Sequence, residues 1–289
     1  MVNVPALPKI PYTEIMITQV CNLTCKACST YSDLDHKGYL TWDNGRAQIE
    51  PWLQRVTFDH FGLMGGEPLI NPQIRDWLIG IRKLMPTTVI RLPTNGTLLH
   101  KNLDIVDLLA ELGNIIFKIT VHVHSQQIEN SIKYVQDKFN WTPVNEYGVD
   151  RFKTGNNFKF QVNRPRTFYK TFQNNYENAL PYDSLPTKAF DVCHQKECPL
   201  LINERIYKCS TSGLMPDILK KFKSPNSQAW KKYLDNNLNG SIGLNSTDAE
   251  IKNFIENIRK PHATCSQCPD KESIVSVDHL SNVTFRLER

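Results

Sequence analysis

Apolar residues recur with two different periods over the first 165 residues, and the switching between them predicts alternating strands and helices. The run at 13–20 (TEIMITQV) reads as a strand. Residues 41–56 (TWDNGRAQIEPWLQRV) follow a helical pattern with Thr41 as N-cap, and 57–66 (TFDHFGLMGG) form the next strand. Asn71 and Pro72 suit the cap and first position of a helix over 71–85. A strand over 87–93, a TNGT turn, a helix over 101–113 closing on Gly113 and a strand over 114–123 come next. A helix over 125–139 and a strand over 158–164 complete the series. Strands separated by helices of this length imply a parallel sheet of right-handed βαβ units, with site residues in loops beyond the strands' C-terminal ends.

After about residue 180 the pattern changes. Residues 179–193 are rich in Pro and polar side chains, 198–209 (CPLLINERIYKC) read as a hairpin turning at Asn203–Glu204, and amphipathic helices are expected over 228–236 and 247–259. So small and loop-rich a segment gains from a metal staple. The expected division is a core over 1–185 and an appended domain over 186–289.

With 289 residues, 40% of them hydrophobic, the chain can bury a sizeable core. It shows no signal-peptide pattern and no apolar run of about 18 residues, so a cytoplasmic protein without a membrane span is expected. The net charge of +5 is unevenly spread: residues 151–170 and 205–232 together carry +12, leaving −7 elsewhere. Such localised charge serves as a solvated face, as counter-charge for anionic clusters, or as a site for an anionic substrate, nucleic acid included. Phe152, Phe158, Phe160, Phe168 and Tyr169 lie among or beside these charges, as a stacking surface requires.

Eight cysteines in such a chain point to metal or redox chemistry, and they fall into two groups. Cys21, Cys25 and Cys28 form a compact trio with no fourth cysteine nearby. Thiolates select zinc, copper(I) or iron–sulfur clusters, and a closed zinc site needs four ligands, here a remote one. A cubane held by three thiolates leaves one iron open to a further ligand. C-x3-C-x2-C after the first strand, with Gly65-Gly66-Glu67-Pro68 after the second, resembles the radical S-adenosylmethionine (SAM) superfamily. The resemblance implies a partial (β/α)6 TIM-like barrel with a small C-terminal α+β auxiliary domain, a 4Fe–4S cluster on the trio, and SAM on its open iron. It further implies that Glu67 and nearby carbonyls accept from the SAM ammonium. Paired glycines permit close backbone approach. Thr94, Asn95, Thr120 and His122 are further candidate SAM contacts, though Thr94–Asn95 also make a turn and His122 also suits a core position. The family's aromatic residue before the third cysteine is replaced by Ala27, so adenine packing must come from elsewhere.

Cys193, Cys198, Cys209, Cys265 and Cys268 resemble the ligands of the auxiliary-cluster extension called twitch, a reduced relative of SPASM, with Glu204 where that family has a turn glycine. Five thiols for four positions leave Cys198 as spare or alternative ligand; a structural zinc site is the rival to a second 4Fe–4S cluster. The chemistry implied is hydrogen abstraction by a 5′-deoxyadenosyl radical, with an oxidoreductase or isomerase outcome and a flavodoxin or ferredoxin as reductase. An anionic substrate is expected, and the FGLMGGEPLINPQIRDWL stretch also resembles phage radical SAM proteins, some linked with thymidine hypermodification of DNA. Peptide, sugar or antibiotic-precursor substrates are the alternative, and a non-catalytic iron–sulfur redox or binding protein is the reading of another class. His122, His124, Arg164, Arg166 and Tyr169, on strand-end loops, are the candidates for catalytic groups.

Overall fold

The computed structural model describes residues 6–146, 149–153, 157–165, 167–223 and 225–278. Strand β1 (Lys9–Thr18), helix α1 (Trp42–Leu53), β2 (Thr57–Gly65), α2 (Ile74–Leu84), β3 (Val89–Thr94), α3 (Asp104–Leu112), β4 (Ile115–Thr120) and α4 (Gln126–Lys138) alternate as the hydrophobic periods require. The hairpin strands β5 (Val144–Glu146) and β6 (Val149–Lys153) precede β7 (Phe158–Asn163). There follow β8 (Thr167–Tyr169), α5 (Pro186–Val192), β9 (Leu200–Ile202), β10 (Arg205–Tyr207), α6 (Ser210–Phe222), α7 (Ser227–Asn239), β11 (Ser241–Ile242), α8 (Asp248–Asn257) and β12 (Ser276–Asp278).

The main sheet has ten strands in the order β11-β10-β9-β1-β2-β3-β4-β7-β6-β5. Strands β9, β1, β2, β3, β4 and β7 are parallel, and the pairs outside them are antiparallel. This is the parallel α/β sheet of a partial barrel. Its sixth parallel strand, β9, comes from the C-terminal segment and lies beside β1 rather than beyond β7: Glu14 pairs with Leu200 in register, and Glu14 N–H donates to Pro199 O at 2.8 Å.

Period-two side chains divide the sheet into two unlike faces. Ile15, Ile17, Phe61, Leu63, Ile90, Leu92, Phe117, Ile119, Phe160 and Val162 share one face, all buried with residues of α1–α4 in the largest apolar cluster. The register places Tyr12, Glu14, His60, Arg91, Lys118, Gln161 and Asn163 on the other. The lumen face therefore carries polar and charged side chains among apolar ones such as Met64 and Pro93. The hairpin expected at Asn203–Glu204 forms between β9 and β10, with both residues at positive φ (49° and 61°).

Candidate active site

Three loops at the C-terminal ends of β1, β2 and β3 are tied together before any ligand is considered. Gly66 N–H donates to Thr18 O at 3.0 Å and Glu67 N–H to Val20 O at 2.9 Å, which joins the glycine loop to the cysteine loop. Asn22 Nδ2 donates to Thr97 Oγ1 at 2.8 Å and Asn95 Nδ2 to Asn22 Oδ1 at 3.0 Å, which joins the cysteine loop to the turn after β3. Gly66 tolerates no side chain: a Cβ there would stand 2.4 Å from Val20 O and 2.8 Å from Cys21 Cβ.

These loops wall a cavity of about 520 Å³. Cys21, Cys25 and Cys28 line it together with Gly65, Gly66, Pro68, Thr94, Asn95, Thr120 and His122, so ten of the residues expected to bind cluster or SAM meet in one space. Leu23 N–H points at Cys21 Sγ (3.4 Å) and Ser32 N–H at Cys28 Sγ (3.4 Å), donors that favour thiolate. Burial, followed by Glu67, pushes the Cys21 thiol up to about 12; burial also raises Cys25 and Cys28. A cationic partner is what such thiols need in order to ionise.

Glu67 lies behind the glycine loop. Its fully buried carboxylate is absent from the cavity wall: Oε1 accepts from Leu69 N–H (3.0 Å) and Thr94 Oγ1 (2.7 Å), and Oε2 from Asn95 N–H (2.7 Å). Burial pushes its pKa up to about 7 against these donors. Glu67 thus fastens the loop after β2 to the loop after β3, leaving the backbone of Gly65–Gly66 to face the cavity.

The candidate catalytic groups separate similarly. His122 lines the cavity, its ring 5.6 Å from that of Phe168, which supplies an aromatic wall where Ala27 cannot. His124 is exposed and off the wall. Arg164 is committed to Glu129 (2.9 Å) and Asp150 (3.1 Å) on the outer side of the sheet, and Tyr169 donates to Val192 O at 3.0 Å, away from the cavity. Arg166 lies outside the described residues. Lys118, Asn163 and His194 line the cavity and were not anticipated. The signal for Lys118 was the same period of two that marked Thr120 and His122; Asn163 and His194 arrive from distant segments and carry no local signal.

The second group of cysteines is gathered by α5, the β9–β10 hairpin and a turn of 3-10 helix over Ala263–Gln267. All eight cysteines are free thiols. After burial, the thiol of Cys193 is raised by Cys209, that of Cys265 by Cys209, and that of Cys268 by Cys209, Cys193 and Cys265. Cys198 differs, because Glu14 is its largest charged influence, ahead of Cys193 and Cys209. Four thiols therefore share one neighbourhood while Cys198 also faces the lumen.

Fold and site together define a class, a partial α/β barrel with a thiol-lined mouth. Residues 15–145 match the family model of the radical SAM superfamily. The chain is 31% identical over 157 residues to GTP 3′,8-cyclase of Aquifex aeolicus strain VF5, covering 52% of this chain and 46% of that protein. It is 38% identical over 82 residues to pre-heme d1 synthase of Dinoroseobacter shibae, covering 28% and 20%. The matches thus span less than half the length of these relatives. Among solved structures, BtrN in an open conformation aligns over 95% of this chain and 97% of its own, with TM-score 0.45 and 13% identity. The family implies a 4Fe–4S cluster and SAM. One buried and two half-buried thiols in a single cavity, backbone donors to two of them and a glycine floor closed to a Cβ at Gly66 fit that pair. No helix among the described residues is long and apolar enough to cross a membrane.

Proposed function

We propose that this chain is a radical SAM enzyme acting on an anionic substrate, a nucleotide or a DNA-linked nucleotide. One observation carries the reading: Cys21, Cys25 and Cys28 share a single cavity with the Gly65–Gly66 backbone, Thr94, Asn95 and the ammonium-bearing Lys118. When bound, the cluster and SAM supply reductive cleavage of SAM and a 5′-deoxyadenosyl radical that abstracts hydrogen. The protein's part is to hold and shield. The backbone of Gly65–Gly66 and the Thr94–Asn95 turn receive the methionyl end. Phe168 and His122 offer ring surfaces to adenine or substrate, and Thr120 and Asn163, paired in register on β4 and β7, offer polar groups to a ribose. That a relative of this chain is named for GTP supports a nucleotide over an uncharged substrate.

The same reading divides the chain into a core over 1–185 and an auxiliary domain over 186–289. Cys193, Cys209, Cys265 and Cys268 hold a second 4Fe–4S cluster there, a one-electron acceptor in an oxidation, and a flavodoxin or ferredoxin is the reductant. The test is anaerobic reconstitution with iron and sulfide, addition of dithionite and SAM, and quantification of 5′-deoxyadenosine with and without nucleotides. Formation by the wild type and loss in Cys28→Ala supports the proposal; a fully loaded protein that makes none under any condition overturns it.

A further inference from the structure

Below the cysteine loop, the lumen face of the sheet carries charges that no ion pair among the described residues balances. On β1–β4 and β7 this face holds Arg91, Lys118 and Lys159 against one carboxylate, Glu14. Glu14 is itself drawn toward neutrality by burial, which pushes its pKa up to about 7 even though it accepts from Tyr12 Oη at 2.6 Å. The pair is packed into place, since a Cβ on Gly62 would stand 2.6 Å from Tyr12 Oη. Arg91 is held behind it, its guanidinium 4.7 Å over the Tyr12 ring and its Nε donating to His60 Nδ1 at 3.2 Å.

Lys118 is the member of this group that reaches the cavity. It makes no hydrogen bond or ion pair among the described residues. Burial lowers its pKa, and so does Arg91. A half-buried ammonium beside a second cation, favoured by the Cys198 thiol and the Glu14 carboxylate but bonded to neither, is short of the counter-charge it requires. An oxyanion entering the cavity would supply it. Lys118 is two residues before Thr120 on the same strand face, about 7 Å along β4. An anion on Lys118 therefore leaves the rest of its molecule in the space between Thr120, His122 and the cysteine loop.

We propose that Lys118 anchors an oxyanion of the substrate, a phosphate, at the lumen end of the cavity, with Arg91 and Lys159 supplying the surrounding positive field. The anchor sets which substrate atom faces the radical source, so Lys118 determines specificity rather than initiating chemistry. The inference deepens the proposed function, yet anion binding is measured without reductant, so it and 5′-deoxyadenosine formation fail separately. The SAM carboxylate is the competing occupant, and the experiment separates the two.

The reconstituted full-length protein is titrated at low salt with inorganic pyrophosphate and, separately, with SAM, by calorimetry and thermal melting. The wild type is expected to bind pyrophosphate with an affinity that falls as salt rises and to melt higher with it. Lys118→Met, which replaces an unbalanced charge by an apolar chain of similar length, is expected to melt at or above the wild type without ligand. It should bind pyrophosphate at least about tenfold more weakly, whereas Lys118→Arg binds within a few-fold of wild type. SAM affinity should be unchanged in both. Should Lys118→Met fail to fold, Lys118→Gln takes its place. The inference is overturned if pyrophosphate does not bind the wild type, if the neutral variant binds it equally well, or if that variant loses SAM instead.

Discussion

Glu67 Oε1 accepts the hydroxyl of Thr94 at 2.7 Å, so a carboxylate at the end of β2 holds the end of β3 in place. The same side chain takes the backbone N–H groups of Leu69 and Asn95, so three donors lose their partner when it is removed. Glu67→Ala is expected to destabilise the protein by about 1–3 kcal/mol per stranded buried donor. Thr94→Ala removes one of these bonds and should cost about 1 kcal/mol. Because the Asn95 backbone moves with Glu67, SAM affinity should fall more in Glu67→Ala than in Thr94→Ala. Thermal melts and equilibrium dialysis with SAM check both; an E67A protein that binds SAM normally would show that the two loops hold their positions independently.

Gly66 gives a sharper test of the join between the glycine and cysteine loops. Its missing side chain would collide with Val20 O and Cys21 Cβ, and backbone cannot step aside as a flexible side chain can. Gly66→Ala should therefore displace Cys21 and lower cluster loading at the trio, without changing the metal content of the proposed second site. Iron and sulfide content after reconstitution, compared with Cys28→Ala, reads this directly. Full loading in Gly66→Ala would mean that the loop relaxes at little cost.

Much of this architecture is legible in the chain because each signal is local. Strands β1–β4 and β7 follow their apolar runs, and the cysteine trio and glycine loop follow their spacing. Helix α6 is hidden by Gly213 and Pro216 in its interior, yet it forms, because Leu214, Met215, Ile218 and Leu219 are buried in the second apolar cluster and tertiary packing overrides propensity. The β5–β6 hairpin lacks a strong alternating pattern and is held by pairing with β7. Glu67 was legible as a site residue but not as a fastener, since its partners Thr94 and Asn95 lie 27 and 28 residues away. Lys118 was legible by periodicity alone. What it meets was not, because the lumen is assembled from five strands.

Glu204 occupies a turn position at φ 61°, where a side chain costs about 1 kcal/mol or more and glycine costs little. Its carbonyl accepts from Trp52 Nε1 at 3.1 Å, a bond that any residue at this position preserves. Glu204→Gly is accordingly expected to raise the melting temperature by about 2–4 °C. An unchanged or lower value in calorimetry would mean that the Glu204 side chain contributes more than its backbone strain costs.

The five C-terminal thiols are not equivalent. Cys193, Cys209, Cys265 and Cys268 act on one another, whereas Cys198 answers first to Glu14. Cys198→Ala should retain about eight irons per chain after reconstitution, and Cys268→Ala about four. Zinc in place of iron at the second site, or loss of iron in Cys198→Ala, would each reverse the assignment of ligands.

Glu14 should make stability depend on pH with a definite sign. Burial raises its folded-state pKa to about 7 from the ordinary 4.5, against the opposing effects of the Tyr12 hydroxyl and the charges of Arg91 and Lys118. Between those two values the folded protein binds more protons than the unfolded chain, so its stability falls as pH rises. The contribution is complete below the unfolded pKa and is lost through the folded one, with a slope of at most about 1.4 kcal/mol per pH unit. Glu67, also raised by burial, acts with the same sign, so the absolute slope does not identify Glu14; the difference between wild type and Glu14→Gln does. Melting temperatures measured between about pH 5 and 8 should fall less steeply in Glu14→Gln. The variant keeps an acceptor for Tyr12 and adds no charge to the lumen. Parallel profiles for the two proteins would place the Glu14 carboxyl at an ordinary pKa, ionised at neutral pH, and it would then be the counter-ion of Lys118. In that event pyrophosphate binding should strengthen when Glu14 is neutralised, which the same variant can report.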